Sequence, residues 1–264
     1  MRMSRLLQLA LPLLFALPAH AALQEEEVAY RASGVTFQGY LVYDDAIEEK
    51  RPGVLVVHEW WGLNDYARQR ARQLAEQGYT ALAADMYGEG RTADHPREAT
   101  AMMQQATADM DSFRARFVAA KEALQRHPTV AADKISALGY CFGGMTVLNM
   151  AREGVDLDLV ASFHGLLATQ SPAKKGDLKA RVLVFNGADD PMVPAEDIAA
   201  FEQEMEAADA DYKLTNYPNA THGFTNPGAD ELGSKHEMPL AYSAEADNDS
   251  WQQLLTELAT IYSD

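Results

Sequence analysis

One cysteine, Cys141, is the only thiol in the 264 residues of the chain, so no intramolecular disulfide can form. A lone thiol is either a small buried hydrophobe or a group whose reactivity is used. Long hydrophobic runs are lacking too: the apolar stretch from Leu6 to Leu17 is shorter than the roughly 20 residues that span a hydrocarbon core. Positive charge is scarce, with 22 Lys and Arg against 39 Asp and Glu, and the formal net charge is −17. Such a field repels phosphate backbones and anionic headgroups, which argues against nucleic acid and membrane surfaces as partners. The acidic residues are scattered rather than blocked, so solubility is their plain reading. No repeat, low-complexity tract or interdomain linker stands out. His95, His127 and His236 fall in expected loops or helix ends without ligand spacing, so no metal and no other cofactor is expected.

What is there suits a folded enzyme-sized domain. Hydrophobic residues make up 47% and charged residues 23%, a balance that excludes disorder and membrane embedding. Arg2 and Arg5, the apolar stretch behind them and the small residues of Ala19-His20-Ala21 predict a signal peptide cut after Ala21. The protein is then expected to be exported, periplasmic or released, with residues 22–264 as one domain. Oligomeric state is not encoded in any of these features.

The pattern predicts strands at Glu27–Tyr30 and Val35–Tyr43, with Ser33-Gly34 as the turn of an N-terminal antiparallel hairpin. Gly53–Val57 is a short continuous apolar run, as a strand buried on both faces requires. Asn64 is placed to cap a helix running to about Gln77, and Gly78 to end it. Further strands are expected at Thr80–Ala84, Ile135–Leu138, Leu159–Phe163, Val182–Asn186 and Tyr212–Tyr217. Helices are expected at Arg97–Thr107, Met110–Arg126, Phe142–Arg152, Ala195–Ala208 and Ser250–Tyr262. Alternating strands and helices predict a mainly parallel sheet with helices on both faces. Thr225–Asn248, rich in Gly, Pro, Asp and Ser, reads as an irregular loop long enough to be functional.

Gly139-Tyr140-Cys141-Phe142-Gly143-Gly144 sits between a predicted strand and a predicted helix, the setting of the G-x-S-x-G nucleophile elbow with cysteine for serine. Its glycines permit a sharp turn that aims the Phe142 N–H at a developing oxyanion, and the helix N-terminus favours a thiolate. Glycines also flank small residues merely to pack a helix on a strand, so the context matters. Asp189-Asp190-Pro191-Met192-Val193-Pro194 follows the next strand but one, and Thr221-His222-Gly223-Phe224 follows the last. Nucleophile, acid and histidine thus occur in the chain order of α/β-hydrolases, each behind a parallel strand. A neutral imidazole takes the thiol proton, and a carboxylate fixes its tautomer. Spacing alone does not separate Asp189 from Asp190, and Asp189 also suits the role of a turn residue before a proline-containing loop.

These segments, together with His58-Glu59-Trp60-Trp61-Gly62 after the first buried strand, resemble the dienelactone hydrolase family of the α/β-hydrolase fold over most of the expected mature chain. The resemblance implies an ester or lactone hydrolase acting on a small molecule, with Cys141, His222 and Asp190 as triad. It also implies that Glu59 contacts the resting thiol and helps to activate it, and that the Trp60 N–H is the second oxyanion donor beside that of Phe142. A carboxylate between His58 and two tryptophans is also in surroundings that perturb its pKa, although a salt bridge at the sheet end is the plainer reading.

The chain departs from the family where its dienelactone-cleaving members hold a substrate carboxylate with arginines. Here Asp85-Met86-Tyr87 is followed by Gly88-Glu89-Gly90 and only then Arg91, and His222 by Gly223-Phe224-Thr225-Asn226. Trp61, Tyr87, Arg91 and His164 are the expected substrate-binding side chains, with packing as the plainer role of the aromatic ones. The alternative to hydrolysis is an exported binding or redox-responsive protein that keeps the scaffold with an inert thiol.

Overall fold

The computed structural model describes residues 23–263. The expected signal peptide, residues 1–21, lies outside the described residues. Strands β1 (Leu23–Ala32) and β2 (Val35–Asp44) pair antiparallel, with Ala32 opposite Val35 across a two-residue turn. Ser33 and Gly34 both adopt positive φ, 49° and 80°, the conformation whose twist suits a tight hairpin.

Six further strands follow: β3 (Arg51–Val57), β4 (Thr80–Ala84), β5 (Val130–Tyr140), β6 (Leu159–Phe163), β7 (Arg181–Gly187) and β8 (Tyr212–Tyr217). They form one sheet of eight strands in the order β1-β2-β4-β3-β5-β6-β7-β8. β2 is antiparallel to both its neighbours, and every pair from β4 to β8 is parallel. This is the α/β-hydrolase arrangement expected from the alternating pattern.

Strand periodicity explains why both faces are covered. Leu55 and Val57 of β3 enter one core cluster with Val182 and Val184 of β7, whereas Val54 and Val56 enter the other with Leu183 and Phe185. The first face is covered by helices α3 (Met110–Gln125), α4 (Phe142–Arg152) and α5 (Ala195–Ala207) through Phe113, Phe117, Val147 and Phe201. The second is covered by α1 (Asp65–Glu76) through Ala67, Ala71 and Leu74, and by α7 (Ala244–Tyr262) through Leu254 and Leu258. Each of the fully buried Phe, Leu and Val side chains among these contributes roughly 1.5–3 kcal/mol of transfer free energy. α2 (Pro96–Thr107) packs beside α3.

Two expectations need correction. β5 begins at Val130, not Ile135, because Arg51 pairs with Val130 before a register shift brings Gly53 opposite Ile135. Asp133, inside that shift, is polar and exposed, which hides the strand from a hydrophobic pattern. The expected irregular loop after Thr225 also contains a short helix, α6 (Ala229–His236), and the first turn of α7. The Ser243 side chain accepts from the Ala246 N–H, and Glu245 and Asp247 suit the positive helix end, so a polar stretch is helical.

Candidate active site

The turn between β5 and α4 is set by close backbone approach. A Cβ on Gly139 would lie 2.1 Å from the Gly143 carbonyl oxygen, and one on Gly143 would lie 2.1 Å from that of Val57. Only glycine lets α4 rest directly on the ends of β5 and β3. Cys141, between them, is forced to φ 55° and ψ −113°, a conformation that costs a non-glycine residue about 1–3 kcal/mol. Its N–H donates to the Phe163 carbonyl at 3.0 Å, so the strained residue is tied to β6. The sulfur sits at a helix N-terminus, where unpaired N–H groups stabilise negative charge.

Asp190 and His222 arrive from the loops after β7 and β8, and both are buried. His222 Nδ1 donates to Asp190 Oδ2 at 2.8 Å, which leaves Nε2 as the free nitrogen. The Met192 N–H donates to the other oxygen, Oδ1, at 2.8 Å and fixes the carboxylate. Asp189 is exposed and takes no part in this contact. Burial by itself would lower the His222 pKa, but the Cys141 sulfur and the Asp190 carboxylate outweigh it and raise it to about 10. Nε2 has no aligned hydrogen-bond partner; the sulfur acts on it chiefly as a neighbouring charge.

Cys141 and His222 open onto one cavity of about 160 Å³. Trp60 and Phe142 also line it, and no turn or cap carbonyl accepts their backbone N–H groups among the described residues. The remaining wall is Met103, Met145, Met192, Met238, Leu166 and Leu240. Met238 and Leu240 belong to the segment after α6, which is held beside the site by the Ala241 N–H donating to the His222 carbonyl at 3.2 Å.

Glu59 is buried at the end of β3, and burial raises its pKa to about 7 against the opposing influence of Asn226, His222 and Arg70. Its Oε2 accepts from Asn226 Nδ2 at 2.7 Å. Among the described residues no hydrogen bond joins it to Cys141; Asn226 is the side chain that holds Oε2.

None of the four expected substrate-binding side chains lines the cavity. Arg91 is turned onto backbone, donating from Nη2 to the Tyr87 carbonyl at 2.6 Å and from Nε to that of Gly88 at 3.3 Å. Tyr87 is buried under the site, where its hydroxyl donates to the Trp60 carbonyl at 2.9 Å and steadies the segment bearing that residue's N–H. Trp61 packs with Ala93 and Ala99. His164 lies behind His222, ring centroids 5.2 Å apart, with Nε2 hydrogen-bonded to Thr225 Oγ1 at 2.7 Å.

Sequence reasoning missed the methionine wall, and it missed Asn226 and Thr225 as partners of Glu59 and His164. It also missed Arg70, which donates to the Thr225 carbonyl at 2.6 Å and pairs with Asp247. A cation at apolar spacing among Ala67, Ala71 and Leu74 was a readable signal of a buried ion pair. The methionines come from α2, α4, the loop after β7 and the segment after α6, and no local pattern links them.

The sequence profile of the dienelactone hydrolase family matches residues 37–262, nearly the whole described chain. The chain belongs to that family. Dienelactone hydrolase family membership makes it a carboxylic ester or lactone hydrolase with small-molecule substrates. A dienelactone hydrolase-like promiscuous phosphotriesterase from metagenomic libraries is 36% identical, with a TM-score of 0.84 over 91% of this chain and 99% of the other. A candidate carboxymethylenebutenolidase of Escherichia coli K12 is 30% identical over 221 residues, 77% of this chain and 75% of its own. One from Yersinia pestis is 28% identical over 246 residues, 87% and 85% of the two chains.

Proposed function

We propose that this family member cleaves its ester or lactone through Cys141, His222 and Asp190 by way of an acyl-enzyme. The supporting observation is the 2.8 Å contact between His222 and Asp190 beside a cavity that the Cys141 thiol shares. His222 Nε2 holds the proton given up by the thiol, in keeping with its raised pKa, and the sulfur attacks the substrate carbonyl carbon. The carbonyl oxygen gains the negative charge and accepts from the N–H groups of Phe142 and Trp60. Collapse of the tetrahedral intermediate breaks the carbon–oxygen bond, His222 returns the proton to the leaving oxygen, and the acyl group stays on sulfur. Water, deprotonated by Nε2, then attacks the thioester, and the sulfur leaves and recovers its proton from His222. Asp190 accepts from Nδ1 throughout and stabilises the imidazolium. Glu59, able to change protonation near neutral pH, is proposed as a carboxyl that supports thiol activation.

The test is Cys141→Ala, assayed against simple esters and lactones. Turnover is expected to fall by roughly 10,000-fold or more with the circular dichroism spectrum unchanged. Full esterase activity in the variant would remove the thiolate mechanism and favour a scaffold with an inert thiol.

A second activity has a specific support: the relative named as a promiscuous phosphotriesterase, and a largely apolar cavity without Lys or Arg that suits an uncharged phosphotriester. Hydrolysis of a neutral phosphotriester by the wild type but not by Cys141→Ala is the expected result; no release by either removes this second activity.

A further inference from the structure

The cavity wall has a composition that the hydrolytic reading does not by itself require. Among the described residues its only titratable side chains are Cys141 and His222, the two reacting groups; Met103, Met145, Met192, Met238, Leu166 and Leu240 supply most of the rest. No Lys or Arg lines it among the described residues. Arg91, Arg116 and Arg70 are engaged elsewhere. Arg91 donates to the carbonyls of Tyr87 and Gly88, Arg116 to that of Met86, and Arg70 pairs with Asp247. A substrate carboxylate entering this space would lose its hydration with no Lys or Arg to meet it, since the one cationic group in the wall, the His222 imidazolium, is already balanced by the Asp190 carboxylate and the Cys141 sulfur. It would also enter a protein of net charge −17.

Methionine is the opposite of hostile to apolar groups. Four unbranched thioethers adapt their rotamers to irregular shapes and make favourable contacts with aromatic ring edges. At about 160 Å³ the space is close to that of an engineered apolar cavity of roughly 150 Å³ that binds benzene. Leu166, 39% exposed, sets an apolar rim as well as an apolar wall.

We infer that the site is specific for uncharged substrates, esters or lactones whose acyl or alkoxy group is a small aryl or unbranched alkyl moiety, and rejects those that carry a second, ionised carboxylate. The inference rests on the hydrolytic reading above for the orientation of the scissile bond. The binding preference itself rests on the wall alone.

The experiment compares 4-nitrophenyl heptanoate with the mono-4-nitrophenyl ester of adipic acid, which places a carboxylate at the end of a chain of similar length. At pH 7.5 the ratio of kcat/KM is expected to favour the neutral ester by about 100-fold or more, the scale on which a desolvated site rejects an unmatched polar group. The ratio should persist at 0.5 M salt, where the Debye length drops to a few ångströms and the field of the whole protein is screened. A ratio within about threefold, or one that collapses in salt, overturns the inference. In parallel, calorimetry on the Cys141→Ala protein compares heptanamide with adipic acid monoamide, so that binding is read without turnover. Preferential binding of the neutral amide with neither ester cleaved by the wild type would sink the hydrolytic reading and leave the selectivity standing. Equal binding of the two amides would sink the selectivity while turnover could persist.

Discussion

Glu59 shows how a single buried carboxyl trades stability for chemistry. Its pKa of about 7 in the folded protein stands above the ordinary 4.5 because burial disfavours the charged form more than Asn226, His222 and Arg70 favour it. Below about pH 4.5 the group is protonated folded and unfolded alike, and its full contribution to stability is present. As pH rises to 7 the unfolded chain releases the proton first, so stability is lost, by a total on the order of 3 kcal/mol. Glu59→Gln keeps an acceptor for the Asn226 amide and removes the ionisation. Urea denaturation should find the variant progressively more stable than the wild type between pH 4.5 and 7, with the difference level at higher pH. A difference that does not vary with pH would contradict the assignment. The same variant should be slower in turnover, as expected where a strained or desolvated group serves the reaction.

At the scale of elements, the elbow depends on how closely α4 can approach β3. The Cβ of an alanine at position 143 would fall 2.1 Å from the Val57 carbonyl oxygen and 2.9 Å from that of His58, both backbone atoms at the end of β3. Neither can yield without moving Glu59 and Trp60, which follow immediately. Gly143→Ala is therefore expected to cost about 1–3 kcal/mol in thermal or urea unfolding and to lower kcat far more than KM. A variant with unchanged kcat would mean that the elbow is not what aligns the thiol with the donors. The boundaries of α4, Phe142 and Arg152, were legible because glycines and an apolar run mark them. Those of α6 and the start of α7 were not, because their residues are mostly polar and their helicity is decided by caps and by packing of the segment between them beside His222.

Across the whole molecule, the two core faces make the sheet a rigid platform, and ties such as the buried Arg152–Glu204 pair at 2.8 Å join α4 to α5. No helix among the described residues is long and apolar enough to cross a membrane. Export through the expected signal peptide remains our proposal for residues 1–21. N-terminal sequencing of the protein recovered from a periplasmic extract should begin at Ala22, and recovery only with Met1 in the cell lysate would overturn it. A lone cysteine suits that setting, since it cannot form a wrong intramolecular disulfide.

The sequence by itself determined the order of the strands and of every helix but α6, the sharp turn at 139–144, and the placement of Cys141, Asp190 and His222 behind three of the parallel strands. These are properties of short windows, carried by residue periodicity and by glycines where backbones touch. Only the tertiary structure decided that Asn226 holds Glu59, that Arg91 turns away onto backbone, and that four methionines from separate segments wall one cavity. Such contacts depend on the angles at which loops leave the sheet and on which side chain wins each buried partner, and no local pattern encodes either.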